Sequence, residues 1–164
     1  MIQLKEAKKI YKNGRTEYPA LNGIDLTIEN GEYVAIIGTS GSGKSTLLNI
    51  IGGMDQTTDG QYLYDEKNVS KMNSHALHLF RKEYVSFVFQ RFALLNQYSV
   101  YENVEVPLLA KGIEKKERKK KVLSALMQVG IQDLYKKKPS ELWGTTAVCN
   151  CQSFGYGYSC CTCG

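Results

Sequence analysis

The sequence predicts an α/β domain centred on a strand, a glycine-rich turn and a helix. Three adjacent segments carry that prediction. Tyr33-Val34-Ala35-Ile36-Ile37 is a short apolar run, partly β-branched, of the kind buried in a parallel sheet. Gly38-Thr39-Ser40-Gly41-Ser42-Gly43-Lys44-Ser45-Thr46 follows at once and fits G-x-x-x-x-G-K-[ST] over residues 38–45. Thr46-Leu47-Leu48-Asn49-Ile50-Ile51 then continues as a helix whose apolar residues face the sheet. A glycine-rich turn alone is common between a strand and a helix, but this one has both the motif and its flanks.

The other elements follow in chain order. Residues 2–11 and 24–29 read as strands, the second alternating Ile24, Leu26 and Ile28 with polar neighbours. Asn22-Gly23 and Asn30-Gly31 are turn signals around the second strand. Gly52-Gly53 ends the helix after the loop, and Gln61-Tyr62-Leu63-Tyr64 is a short strand entered from Asp59-Gly60. Residues 74–82 suit a helix with Ala76, Leu77 and Phe80 on one side. Tyr84-Val85-Ser86-Phe87-Val88-Phe89 is a second candidate for a buried strand, with Gln90 at its C-terminal end, where open α/β sheets gather their ligands. Residues 99–129 are helical by pattern, broken at Pro107 and near Gly112, and form an inserted helical subdomain.

At 164 residues the chain is one domain, or one domain with a small insert. The net charge of +5 arises from local runs, Lys115-Lys116-Glu117-Arg118-Lys119-Lys120-Lys121 and Lys136-Lys137-Lys138. With Val122, Leu123, Leu126 and Met127 at helical spacing, the first run reads as the solvated face of an amphipathic helix. No aromatic residues interleave it, so no nucleic-acid partner is expected. Met1-Ile2-Gln3-Leu4-Lys5-Glu6 lacks the apolar core of a secretion signal. No stretch approaches the ~18–20 apolar residues of a membrane span. The expectation is a cytoplasmic protein without direct membrane insertion, attached to a membrane only through another subunit.

The loop residues have the chemistry that a triphosphate requires, which is many donors and little bulk. Glycines at 38, 41 and 43 let the backbone turn and bring its N–H groups inward. The helix that follows adds unpaired amides and the positive end of its dipole. Lys44 places an ammonium on the β- and γ-phosphates, and Ser45 a hydroxyl on Mg²⁺. The expected ligands are ATP and Mg²⁺, and the phosphate-binding set is Gly38, Ser40, Gly41, Ser42, Gly43, Lys44, Ser45 and Thr46.

In order and spacing these residues resemble the ATP-binding subunit of an ABC transporter, most closely the lipoprotein-release and macrolide-export branch. The resemblance covers residues 2–142 and adds four expectations. Tyr11, in Lys8-Lys9-Ile10-Tyr11, fits the aromatic that stacks on adenine. Ala20-Leu21-Asn22-Gly23-Ile24-Asp25-Leu26 and Gly31-Glu32 form the usual approach to the phosphate loop. Phe87-Val88-Phe89-Gln90-Arg91-Phe92-Ala93-Leu94-Leu95 resembles the glutamine loop, in which Gln90 would reach Mg²⁺ and the attacking water. Tyr101-Glu102-Asn103-Val104 with Pro107-Leu108 resembles the helical subdomain that meets the permease. By resemblance the fold is a P-loop ABC ATPase core, with an N-terminal antiparallel β part and a helical subdomain over about residues 93–142. The family couples ATP hydrolysis to transport, and two such domains sandwich two ATPs. The implied partners are a second ATP-binding subunit and membrane permease subunits, with the chain on the inner face of the cell membrane.

The family pattern stops at Lys138-Pro139-Ser140-Glu141-Leu142. A Leu-Ser-Gly-Gly-Gln signature is due there, and Trp143-Gly144-Thr145-Thr146-Ala147 stands in its place. All 21 basic and 16 acidic residues lie in the first 141 positions, whereas all five cysteines (149, 151, 160, 161, 163) lie in the last 23. Written as CTC-TGG-GGG-ACA-ACT, Leu142-Trp143-Gly144-Thr145-Thr146 read one base later gives Ser-Gly-Gly-Gln. The expectation is a 1–142 nucleotide-binding part, an out-of-frame tail over 143–164 and an incomplete C-terminal half without Walker B carboxylates or switch histidine. Such a chain would bind ATP weakly at best and would not turn it over alone. Three alternatives differ in class: a non-catalytic nucleotide-binding remnant or regulator, a P-loop small-molecule kinase, and a zinc site built on the cysteines with His75 and His78. The cysteine spacings, C-x-C and C-C-x-C, do not match the usual zinc pairs.

Overall fold

The computed structural model describes residues 1–88, 94–142, 148 and 160–162, and divides into two units, Met1–Arg81 and Lys82–Gly164. Each unit is described by itself.

The first unit is built on β1 (Ile2–Asn13) and β2 (Thr16–Ile28), an antiparallel hairpin turned at Gly14, where φ is +60°. The far side of β1 pairs antiparallel with β3 (Asp59–Tyr64), and β3 pairs with β4 (Lys67–Asn68), so the order is β2-β1-β3-β4. Pro19 is accommodated because β2 is an edge strand, where a missing N–H costs no ladder bond. The second strand is longer than its alternation predicts. Asn22-Gly23 is not a turn but part of β2: Lys8 faces Asn22, Ala7 faces Ile24, and Gly23 takes a φ of +76° within the register shift. A turn residue inside a strand here serves a bulge.

Helix α1 (Lys44–Ile51) follows the glycine-rich loop and buries Leu47, Ile50 and Ile51. It ends at Gly52-Gly53 as predicted, with Gly53 at φ +65°. The Tyr62 hydroxyl donates 2.7 Å to the Ile51 carbonyl, tying β3 to the helix end. Helix α2 (Ser74–Tyr84) buries Leu77 and Phe80, and the Phe80 ring meets Tyr62 and Tyr64 edge to face. It runs two residues past its predicted end, taking Tyr84 from the strand that follows. His75 and His78 are both exposed on it.

The predicted buried parallel strand over residues 33–37 is corrected by the structure. These residues have no strand pairing; Tyr33 is fully exposed, Ile37 nearly so and Val34 about half. An apolar, β-branched run shows what a segment favours when strands flank it on both sides. Here the four strands of the first unit pair in the order β2-β1-β3-β4, and residues 33–37 are left outside that ladder.

The second unit holds β5 (Ser86–Val88), α3 (Val100–Ala110), α4 (Lys115–Gln128) and β6 (Cys160–Thr162). Strands β5 and β6 pair in parallel, with Ser86 facing Cys160 and Val88 facing Thr162. Val100, Val104 and Leu108 of α3 pack with Val122, Ala125 and Leu126 of α4, and Val148 completes this buried cluster. Part of the uncharged tail therefore joins the fold. Leu123 and Met127, predicted on the apolar face of α4, are exposed, and Ala125 takes their place. Arg118 of α4 donates to Glu105 of α3 at 2.9 Å and to the Ile113 carbonyl, closing the helix pair.

Pro107 does not break α3, contrary to prediction. A proline inside a helix costs about 3 kcal/mol. Val100, Val104 and Leu108 lie four residues apart on both sides of it, and burying each stabilises by about 1.5–3 kcal/mol. Packing wins. Among the described residues no helix is long and apolar enough to cross a membrane.

Candidate functional site

The site is assembled where β1, β2 and the start of α1 meet. The loop enters from residues 33–37 and turns into α1 at Gly43, whose φ of +86° is closed to most side chains. A Cβ on Gly43 would stand 2.4 Å from the Ala20 carbonyl oxygen and 3.0 Å from Leu21, so only glycine lets the loop lie on β2. Gly41, also at positive φ, has nothing within 4 Å of where its Cβ would be, so its backbone is bare on that side. A Cβ on Gly38 would come 2.8 Å from the Ser42 hydroxyl.

Electrostatically the loop is prepared for an anion. Among the described residues no side chain caps α1, and its first turn holds no acidic residue, so the positive end of the helix is not neutralised from within. The Lys44 ammonium donates to the carbonyls of Gly38 (3.0 Å) and Thr39 (2.7 Å), which folds it over the loop. Ser45 is exposed in the first turn of α1 with Thr46 beside it, and Ser40 and Ser42 lie on the exposed loop. The residues present fit a triphosphate: bare backbone amides, a helix start and one ammonium held on weak neutral acceptors. They also offer a metal ion the Ser45 hydroxyl.

Tyr11 lies on β1 opposite Tyr18, two residues beyond Lys9 and therefore on the same face of the strand. Lys9 itself faces Leu21, the residue on which Gly43 packs, so the strand links the ring to the loop. The Tyr11 hydroxyl donates 2.9 Å to one oxygen of Asp55. The Lys9 ammonium donates 2.5 Å to the other oxygen and 2.8 Å to the Gln56 carbonyl, and lies 5.0 Å from the centre of the Tyr11 ring. Burial pushes the Asp55 carboxyl up, but hydrogen bonds from Lys9, Tyr11 and the Gln56 amide, with the charge of Lys9, outweigh it and hold the group below its ordinary value.

The structure thus brings Tyr11 and residues 38–46 of the predicted set into one unit. Gln90 and the rest of residues 89–93 lie outside the described residues, as do residues 143–147, where the signature is due, and Cys149, Cys151 and Cys163. Lys9 and Asp55 were missed by sequence reasoning. Lys9 could have been found, since it alternates with Tyr11 on one strand face, whereas Asp55 carries no local signal.

Residues 21–148 match the family described as ABC transporter. Over 144 residues the chain is 43% identical to the macrolide export ATP-binding/permease protein MacB of Hyphomonas neptunium, covering 88% of this chain and 22% of that protein. It is 44% identical over 144 residues to the ABC transporter ATP-binding protein YvrO of Bacillus subtilis, covering 88% of this chain and 63% of that protein. The chain therefore spans about a fifth of the first relative and less than two-thirds of the second. Among solved structures it is similar to the ATP-binding cassette MJ0796, determined as a dimer in a post-hydrolysis state bound to ADP and Pi. That likeness has a TM-score of 0.85 and 35% identity, over 96% of this chain and 71% of that one.

Proposed function

This chain belongs to the ABC transporter family, and on that footing we propose that it is the ATP-binding part of an export transporter. The observation that supports this most directly is the loop at residues 38–46. It is an uncapped helix start with bare glycine backbone, and Lys44 rests on neutral carbonyls from which an anion would draw it. On this reading Gly38, Ser40, Gly41, Ser42, Gly43 and Thr46 surround the phosphates, and Lys44 bears on the β- and γ-oxygens. Ser45, joined by Gln90, would hold Mg²⁺, which supplies charge neutralisation when bound. Tyr11 offers the flat face for adenine.

Cleavage of ATP to ADP and phosphate is proposed for the assembled transporter, in which a second ATP-binding subunit and membrane permease subunits complete the machine. The solved dimeric cassette and the fused permease of the MacB relative support that assembly. The proposed location is the inner face of the cell membrane, with the chain held there by the permease subunits. Alone, the 164 residues are proposed to bind ATP without steady turnover, because Leu142 is followed by Trp143-Gly144-Thr145-Thr146 and not by the Ser-Gly-Gly-Gln of the signature. Equilibrium dialysis of the chain with ATP and Mg²⁺ tests the binding mode. Retained ATP should be displaced by tripolyphosphate; displacement by adenosine but not by tripolyphosphate would overturn the reading.

A further inference from the structure

The Tyr11 hydroxyl and the Lys9 ammonium converge on the two oxygens of one carboxylate, Asp55, which lies 44 and 46 residues away in the chain. Asp55 is not on a free loop. Its amide donates to the Asn49 carbonyl at 3.2 Å, and that of Met54 donates to the same oxygen at 2.8 Å, so the carboxylate is fastened to the last turns of α1. The first turn of α1 forms one wall of the phosphate loop. Asp55 therefore joins the aromatic ring on β1 to the helix that presents the phosphate-binding amides.

The ring is also placed in rotation. Its hydroxyl is fixed by Asp55 and the Lys9 ammonium stands 5.0 Å from its centre, at a distance typical of a cation–π contact. Even so, 41% of Tyr11 remains accessible, so the ring is held but not covered. Lys9 is itself fixed by Asp55 and the Gln56 carbonyl, and it is among the least exposed of the paired lysines. A phenol needs no tether to be stable on an edge hairpin. Two side chains aimed at one carboxylate to orient a partly open ring have the character of a built recognition element.

We propose that Lys9 and Asp55 are positioning residues for base recognition, which set the Tyr11 ring at a fixed distance and tilt from the phosphate loop. The proposal rests on the reading of Tyr11 as the base-stacking residue. The nucleotide must satisfy the loop and the ring at once, so a ring held in register adds to affinity without the ordering cost that a free side chain would incur. Neither residue touches the nucleotide on this account; both act through Tyr11.

The test compares binding of ATP and of inorganic tripolyphosphate, each with Mg²⁺, to the 164-residue chain and three variants by titration calorimetry. Tripolyphosphate reads the loop alone, and the ratio of the two affinities reads the base. Tyr11→Ala removes the ring, Tyr11→Phe keeps the ring and loses the tether, and Asp55→Asn loses the ion pair. The expected result is an ATP affinity about three- to tenfold lower in Tyr11→Phe and Asp55→Asn, the size of one lost hydrogen bond, with tripolyphosphate unchanged. A merely structural role would weaken both ligands together, and that outcome overturns the proposal. If Tyr11→Ala alone loses the preference for ATP, the positioning role fails while base stacking stands. If Tyr11→Ala leaves the ratio unchanged, base stacking fails and takes the proposal with it; if the chain binds neither ligand, the nucleotide-binding reading itself fails, and the proposal with it. Thermal midpoints of the three variants, expected within a few degrees of the parent, separate these cases from unfolding.

Discussion

Asp55 is the residue at which charge and geometry are most closely joined. Its carboxyl is held below its ordinary value against the opposing effect of burial, so it is ionised and bonded to Lys9 and Tyr11 at neutral pH. In the unfolded chain it takes up a proton near pH ~4. A depressed folded value means that the stability it contributes is complete above that pH and is lost as pH falls through the folded value. The stability gap between the parent chain and Asp55→Asn should therefore narrow as pH is lowered from about 5 to about 3. Thermal melts across that range check it, and a gap that stays constant or widens contradicts the assignment. The residues of the phosphate loop were legible in the sequence because nine contiguous positions and their flanks carry the chemistry. Lys9 was legible only through its alternation with Tyr11, and Asp55 was not, because the turn after α1 is what brings it to those two side chains. Gly43 falls between: the motif demands it, but the steric reason, the Ala20 carbonyl 2.4 Å from a would-be Cβ, belongs to the fold.

At the scale of elements, α3 shows how a buried polar residue can fix a helix to its loop. Ser99 caps it, accepting from the Glu102 amide, and the Glu102 carboxylate accepts from the Ser99 amide. One turn in, the fully buried Asn103 accepts from the Leu95 amide and donates to the carbonyls of Leu95, Tyr98 and Ser99. The amide thereby does for residues 95–99 what a strand partner does elsewhere. Asn103→Ala should cost about 2–3 kcal/mol, since it strands several backbone groups at once. Denaturant unfolding measures this, and a change below about 0.5 kcal/mol, the size of an ordinary surface substitution, contradicts it. Pattern reading found this helix pair and misplaced two features, the break at Pro107 and the apolar face of α4. Both errors have one cause. Local rules rank residues singly, whereas a shared core of Val100, Val104, Leu108, Val122, Ala125 and Leu126 selects what it buries.

For the whole molecule, the sequence identified the family but did not foresee what residues 33–37 do in this chain. They are apolar, precede the phosphate loop and stand exposed, although the pattern predicted burial. The backbone amides of a segment outside any ladder are open to solvent and to proteases. Limited chymotrypsin digestion under native conditions should cut first after Tyr33, before the tyrosines of β1–β3, which are held in strands. A first cut within α3 or α4 contradicts that order. The chain spans less than two-thirds of its Bacillus relative, and the function proposed for it rests on the loop at residues 38–46 holding the phosphates of ATP through Lys44. The measurement that tests it most directly is ATP binding by the chain and by Lys44→Ala, each with Mg²⁺ and with folding checked by circular dichroism. Loss of a charged hydrogen-bonding group predicts at least about a tenfold fall in affinity with the fold intact. Equal affinities in two equally folded proteins would contradict the account.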